Sequence, residues 1–368
     1  MTDDLTPMDV AGRADRLRGA LAAKELPALL VTNLTNIRYL TGFTGSAALL
    51  LVTADELVFV TDGRYGQQAE AQLGAAGVAA TIEVDNLMQR ELVSAAFARS
   101  GATSLGLEAD AVTWAAQRTY ADTWFPGTEL VPSTGLVAGL RTVKDDGEVD
   151  RLQRAASIAD AALAEVRHRL ADHLTEEAFG LELDTAMRRL GADDVSFETI
   201  VASGPNGALP HHRPGDRTIT EGDLVVIDFG ALVDGYHSDM TRTVAVGDLS
   251  PTQQRMWDVV LEAQAAGVAA VAAGVAAKDV DAACRSVIAA AGWEQAFLHG
   301  TGHGVGLDIH EDPRVGQSST ATLVPRCVVT VEPGVYLPEH GGVRIEDTVV
   351  VTDEGCQPIT LTPKLAAV

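Results

Sequence analysis

The chain is expected to be an α+β protein in two parts: a small α/β domain over residues 1–138, then a larger domain over residues 139–368. Three observations predict this class. At 368 residues the chain is longer than one typical domain and comfortable for two. Helix and strand patterns alternate through its first third. Further on, the element types run helix, helix, strands and then repeat that order. Such a repeat predicts two pseudo-twofold halves that pack their sheets together with the helices outside.

Taken in order, RADRLRGALAAKEL carries helical periodicity and PALLVTN reads as a short buried strand. SAALLLVTADELVFVTDGRY predicts two strands joined by a turn at Ala54-Asp55. A helix is expected from Gln67, a strand at SLGLEAD and a closing helix at WAAQRTYADTW. Turn residues and charges in VPSTGLVAGLRTVKDDGEVD predict a hinge. Residues 148–172 and 175–190 read as two helices, the second opened by a Thr175 cap with Glu176 and Glu177 in its first turn. Strands are expected from Phe197 to Val246. Ser250-Pro251 opens the next helix with a capping serine and a proline at the first helical position. Another helix covers about 278–291, and strands return from Leu298 to Val351.

Composition narrows the function classes. The chain is 46% apolar and only 5% aromatic, so its cores are built from Ala, Val and Leu. A formal charge of −24 argues against nucleic acid or an anionic membrane as partner. The most apolar stretch, VVLEAQAAGVAAVAAGVAA, contains Glu262 and Gln264 and reads as a buried helix rather than a membrane span. MTDDLTPMD lacks the basic start of a signal peptide. Cys284, Cys327 and Cys356 are scattered and odd in number, which predicts no disulfide framework and a cytoplasmic protein.

Four carboxylates carry the chemistry. LVVIDFG is a strand by its Val/Ile content, with Asp228 near its end. Asp234-Gly235 is a favoured two-residue hairpin turn, which would pair Val233 with Tyr236, Gly230 with Asp239 and Asp228 with Thr241. Asp228 and Asp239 then become diagonal neighbours on one face, roughly 7–8 Å apart at the backbone. Such a pair can hold a cation; the alternative is a turn carboxylate and a surface one. An unpaired carboxylate after VVI in a buried strand is expensive, which favours the functional pair. CVVTVEPGVYL places Glu332 at the end of an apolar strand, and GGVRIEDTVVV places Glu346 inside another. Arg344, two residues from Glu346 on the same face, offers a structural salt bridge as the competing explanation. Four buried anions without compensation would neutralise themselves or destabilise the fold. Two divalent cations would balance them, and carboxylates with an imidazole suit Mn²⁺, Co²⁺, Zn²⁺ or Fe²⁺ better than a structural zinc site.

The histidines complete the set. In HGTGHGVGLDIHEDP, His299 and His303 have the spacing of one helix face. Gly300, Gly302, Gly304 and Gly306 run through the pair, and each would cost about 1 kcal/mol in a helix interior. The position that needs Glu in a zinc-protease helix is Gly300. An extended segment is therefore expected, with His299 and His303 sharing a face by even spacing and His310 free to face elsewhere. PNGALPHHRPGD is a loop, and its His211 and His212 are candidate proton donors or oxyanion stabilisers beside a carboxylate metal site. His168 and His173 are expected on a helix facing solvent.

VIDFGALVDGYHSDMTRT, HGTGHGVGLDIHEDP, VTVEPGVY and GVRIEDTVVV together resemble, in order and spacing, the metal motifs of the pita-bread metallopeptidases. The likeness is strongest to their Xaa-Pro aminopeptidase and prolidase branch and covers about residues 140–360. TNIRYLTGFTGSAALLLV and FVTDGRY look like the smaller creatinase-N-like domain of that branch. The resemblance implies a dinuclear site in which Asp239 and Glu346 bridge, Asp228 completes one metal, and His303 with Glu332 completes the other. It implies that Glu332 also takes a proton from the attacking water and that His211 lies near the tetrahedral intermediate. It further implies that His310 touches substrate at the scissile bond, that His299 lines a proline pocket, and that Arg344 supports the site. Mn²⁺ is the expected metal, with Co²⁺, Zn²⁺ or Fe²⁺ as alternatives; peptides with proline second are the expected substrates and a homodimer the expected assembly.

Other readings keep the fold. A prolidase restricted to Xaa-Pro dipeptides would need a cationic group for the free carboxylate. A methionine aminopeptidase usually lacks the first domain and the PHH and IHEDP stretches. A creatinase-like hydrolase or a non-catalytic interaction protein would show eroded ligands, and all five are present.

Overall fold

The computed structural model describes residues 5–364 and 367–368. Its chain contacts divide at Arg141/Thr142, with residues 5–7 grouped into the second unit. The first unit runs α1 (Arg13–Ala23), β1 (Ala28–Val31), α2 (Leu34–Thr41), β2 (Ala48–Thr53), β3 (Leu57–Thr61) and α3 (Gly66–Ala75). It continues through β4 (Thr81–Val84), α4 (Gln89–Ser100), β5 (Ser104–Glu108), α5 (Trp114–Thr119), β6 (Glu129–Ser133) and α6 (Leu136–Arg141). The strands form one mixed sheet in the order β4-β3-β2-β1-β5-β6.

Several of these elements escape the sequence patterns, for local reasons. α2 is short, but it is bounded by chemistry: the Asn33 side chain accepts from Thr35 N–H and Asn36 N–H, and Gly42 ends it at φ 76°. The expected hinge holds β6 and α6. Pro132 is tolerated there because β6 lies at the edge of the sheet. The expected helix over 114–124 begins as α5 and continues as a π-helical turn at Tyr120–Trp124.

The second unit opens with α7 (Asp146–Val166) and α8 (Glu176–Arg189), followed by β7 (Asp194–Val195), β8 (Ile200–Ser203), β9 (Leu224–Phe229), β10 (Ala231–Val233), β11 (Tyr236–His237) and β12 (Met240–Ala245). Then α9 (Pro251–Ala270) and α10 (Ala277–Ala290) repeat the helix pair. The final strands are β13 (Gly302–Gly304), β14 (Glu311–Val315), β15 (Val328–Val331), β16 (Gly334–Leu337), β17 (Gly341–Arg344), β18 (Asp347–Val351) and β19 (Cys356–Pro358). Helix, helix, strands is thus observed twice, as expected. Capping boxes start α7 at Asp145 and α9 at Ser250, and the Thr175 hydroxyl caps α8.

Each helix pair covers its own apolar core. Leu163, Phe179, Leu183 and Met187 from α7 and α8 bury against Val225, Ile227, Phe229 and Met240. Trp257, Val260, Val280 and Ile288 from α9 and α10 bury against Val329, Val331 and Val349. The two strand sets are stitched together where β12 meets the β17–β18 segment. Glu346 N–H donates to Thr241 O at 3.1 Å, Arg344 N–H to the Thr243 hydroxyl at 3.0 Å, and the Thr348 hydroxyl to Asp239 O at 2.7 Å. Among the described residues, no helix is long and apolar enough to cross a membrane.

Candidate metal centre

The expected hairpin forms in the expected register. Asp234 and Gly235 take φ 45° and 74°, and Val233 pairs with Tyr236 and Asp228 with Thr241. Asp228 and Asp239 therefore project to one face. Glu346 joins them from the turn between β17 and β18, and one oxygen of each of the three lies within 4.8 Å of the others. Its second anchor is the Thr241 hydroxyl, which donates to Glu346 Oε2 at 2.8 Å. Glu332 follows β15, held by its N–H donating to Thr301 O at 2.7 Å.

His303 sits in β13, not on a helix. Its Nδ1 is 3.0 Å from Gly304 O and so carries the proton, leaving the Nε2 lone pair facing Asp239 Oδ2 at 3.5 Å and Glu332 Oε1 at 3.4 Å. Glycine is required on both sides. A Cβ on Gly302 would lie 2.0 Å from Thr330 O, and one on Gly304 would lie 2.3 Å from Asp312 O. Gly302→Ala is accordingly expected to destabilise the fold by about 1–3 kcal/mol through overpacking. Gly300→Ala, whose nearest atom would be 3.1 Å away, should do less. Thermal melting of the two variants side by side checks the order.

Arg344 excludes the competing explanation offered for Glu346. It does not pair with Glu346. Its Nη2 donates to Asp228 Oδ2 at 2.7 Å, its Nε to the Thr241 hydroxyl at 3.0 Å, and its Nη1 to the Tyr336 hydroxyl at 2.9 Å and Pro210 O at 3.2 Å. The reason is that β17 pairs with β16 while β18 pairs with β15. The chain changes sheets between Arg344 and Asp347, so strand alternation does not carry across residue 346.

Arg344 faces four carboxylates, and Arg314 acts more weakly on Glu332. Burial, followed by the charges of Glu346, Asp228 and Glu332, holds Asp239 well above the ordinary carboxylate range. Burial and the charges of Glu332 and Asp228 do the same to Glu346. Burial pushes Glu332 up to about 8, although Arg344 opposes it. Burial also takes His303 down to about 4, so its imidazole is neutral at pH 7. Asp228 Oδ1 and Glu346 Oε1 are buried without a hydrogen-bond partner among the described residues. Orphaned carboxylate oxygens in one cavity with an unprotonated imidazole nitrogen fit divalent cations of the Mn²⁺, Co²⁺, Zn²⁺ and Fe²⁺ type.

These groups line a cavity of about 410 Å³. Of the residues singled out from sequence, all but His212 lie on it: Asp228, Asp239, His303, Glu332 and Glu346, with His211, His299, His310 and Arg344 around them. The His310 ring packs edge-on at 4.4 Å from that of His303. His299 Nδ1 is 2.8 Å from Gly300 O, so its Nε2 accepts from the Tyr336 hydroxyl at 2.8 Å. Burial lowers His299 to about 4 and raises Tyr336 to about 12. His212 turns away from the cavity to Glu176 Oε2, at 2.8 Å. Sequence reasoning did not single out Phe197, Ile200 and Arg314, which also line the cavity, or Tyr336. Tyr336 had a signal in its even spacing from Glu332 across a Pro-Gly turn. Arg314 had one in its position on a strand four residues after His310.

Carboxylates grouped with one imidazole at an open cavity form a candidate site for divalent metal ions. The match to known proteins specifies it. Residues 150–353 match the model of metallopeptidase family M24, and residues 13–143 match the creatinase/prolidase N-terminal domain. The chain belongs to metallopeptidase family M24, with its pita-bread fold. It is 42% identical over 352 residues to the Bacillus subtilis protein described as uncharacterized peptidase YqhT, covering 96% of this chain and 98% of the other. Among solved structures it is similar to an Xaa-Pro dipeptidase from Bacillus anthracis, with TM-score 0.94, 39% identity and coverage of 98% and 100%. It is also similar to an X-Pro aminopeptidase from Thermotoga maritima, with TM-score 0.87, 32% identity and coverage of 97% and 100%.

Proposed function

We propose that the protein is an aminopeptidase that releases the N-terminal residue from peptides with proline in second position. Asp228, Asp239, His303, Glu332 and Glu346 would hold two divalent ions, with Mn²⁺ the expected metal. The observation that carries this reading is the pair of orphaned oxygens, on Asp228 and Glu346, in one cavity with the His303 lone pair. Bound cations of this kind lower the pKa of water to give a nucleophile and polarise the peptide carbonyl.

The chain's own groups do the rest. Glu332 accepts a proton from water and delivers it to the departing proline nitrogen, which has no N–H of its own in the peptide. His211 and His310 donate hydrogen bonds to the carbonyl oxygen as charge grows on it. His299, fixed by Gly300 O and Tyr336, forms a wall for the proline ring. Arg344 holds Asp228 in place. The three cysteines are unpaired, which supports a reducing cytoplasm, and we read the assembly as a homodimer.

A second reading is favoured by Arg314, whose guanidinium belongs to the same cavity. It would bind the free C-terminal carboxylate of an Xaa-Pro dipeptide and make the enzyme a prolidase. The test is hydrolysis of Xaa-Pro and Xaa-Pro-Xaa peptides with and without added Mn²⁺, repeated with Arg314→Met. Metal-dependent cleavage of the longer peptide, unchanged in the variant, is expected. Cleavage of the dipeptide alone, with its KM raised about tenfold by the substitution, would establish the prolidase instead. No metal-dependent release from either peptide sinks both readings.

A further inference from the structure

Glu176 is a buried carboxylate that this chemistry does not use. It occupies the first position of α8, and none of its side chain is exposed. Donors from a single loop converge on it. Oε1 accepts from Ser203 N–H at 2.8 Å, the Ser203 hydroxyl at 2.6 Å and Asn206 Nδ2 at 3.0 Å. Oε2 accepts from His212 Nε2 at 2.8 Å, Asn206 Nδ2 at 3.1 Å and Gly215 N–H at 3.3 Å. Burial by itself would raise Glu176, yet the donors of Ser203, Asn206 and His212 hold it below the ordinary carboxylate value.

Every one of those donors lies on the stretch from Ser203 to Gly215, which beyond Ser203 contains a 3₁₀ turn and no strand. A loop of this kind has few backbone hydrogen bonds to fix it, so side-chain anchors decide where its residues point. His211 is bracketed by two of them. On one side, Pro210 O accepts from Arg344 Nη1, the same guanidinium that holds Asp228. On the other, His212 is turned inward onto Glu176, while His211 lines the cavity.

We propose that Glu176 and His212 are positioning residues: the buried carboxylate clamps the 203–215 loop through His212, so that His211 is held where the carbonyl oxygen of the substrate becomes charged. The inference rests on the role given to His211 above. An error of about 1 Å in placing such a donor can cost up to about a hundredfold in rate, so a loose clamp matters even with every metal ligand intact.

The test is a double-mutant cycle between His211→Ala and His212→Ala, read as kcat and KM on an Xaa-Pro peptide in the Mn²⁺-loaded protein. His212→Ala is expected to lower kcat about tenfold with little change in KM, and to have no further effect in the His211→Ala background. His212→Gln, which keeps a donor for Glu176, should recover most of the loss. A residue that served stability alone would lower activity equally in both backgrounds; that result, or an unchanged kcat, overturns the proposal. Backbone hydrogen exchange supplies a readout independent of turnover. His212→Ala should speed exchange over residues 203–215 and leave α9 unaltered. If the wild-type protein cleaves no Xaa-Pro peptide, the proposed function fails, and unchanged exchange in the loop would separately refute the clamp.

Discussion

Glu332→Gln is expected to lower kcat by about a thousandfold or more, within the range that loss of a positioned acid or base produces. The substitution keeps the shape of the side chain and one oxygen, so the hydrogen bond from the Thr330 hydroxyl, 3.2 Å in the wild type, survives. What disappears is the ability to take up a proton and release it to a nitrogen that leaves without one. The amide is the weaker ligand, so the comparison is made at saturating Mn²⁺, with metal content checked by elemental analysis; the melting temperature should stay near that of the wild type. Full activity in the variant would refute the role given to Glu332, and a loss of activity that tracks the loss of metal would be accounted for by ligation alone.

Asp239→Asn is expected to abolish activity and metal uptake while raising the melting temperature of the chelated protein near neutral pH. Asp239, Glu346 and Glu332 are all held above their ordinary values, chiefly by burial. The folded state therefore binds protons more tightly than the unfolded chain does. Stability from this source is fully present below the unfolded pKa and is lost as pH rises through the folded one. For Glu332 the window runs from its usual 4.5 to about 8. The metal-free protein should melt progressively lower across that window, by about 5 °C or more at a few degrees per kcal/mol. Asp239→Asn removes part of that slope, and Mn²⁺ should remove it in the wild type by supplying the missing positive charge. A melting temperature of the chelated wild type that does not fall between pH 5 and 8 would contradict the charge imbalance derived for the centre.

The features legible in the sequence are those set by local periodicity and turn chemistry. Asp234-Gly235 specified a two-residue turn, and the turn specified which residue opposes Asp228. The glycines around His303 excluded a helix, and β13 is extended because neighbouring backbones leave no room for a Cβ. Features that depend on distant partners were not legible. Arg344 reads as a neighbour of Glu346 until the change of sheet delivers it to Asp228. His212 is indistinguishable from His211 by composition; the family resemblance favours His211, and the fold supplies the physical reason by bringing Glu176 beneath the loop to hold His212. In the first unit, β4 is half-exposed and lacks the apolar alternation that would announce a strand, while α2 has few residues to show a period.

The two strand sets that meet at β12 and β18 have a further consequence, for the order of events as the protein is made. Asp228 and Asp239 leave the ribosome with the earlier helix pair; His303, Glu332 and Glu346 emerge only after α9 and α10. A nascent chain can complete its first half and still present no more than two aspartates on one hairpin, too few donors to retain a transition-metal ion. The late, long-range docking of β17 and β18 onto β12 closes the cluster. An ion held by all five residues would thus report that the β17–β18 segment has docked on β12, and a chain truncated before residue 303, left with Asp228 and Asp239 alone, should emerge unable to keep one.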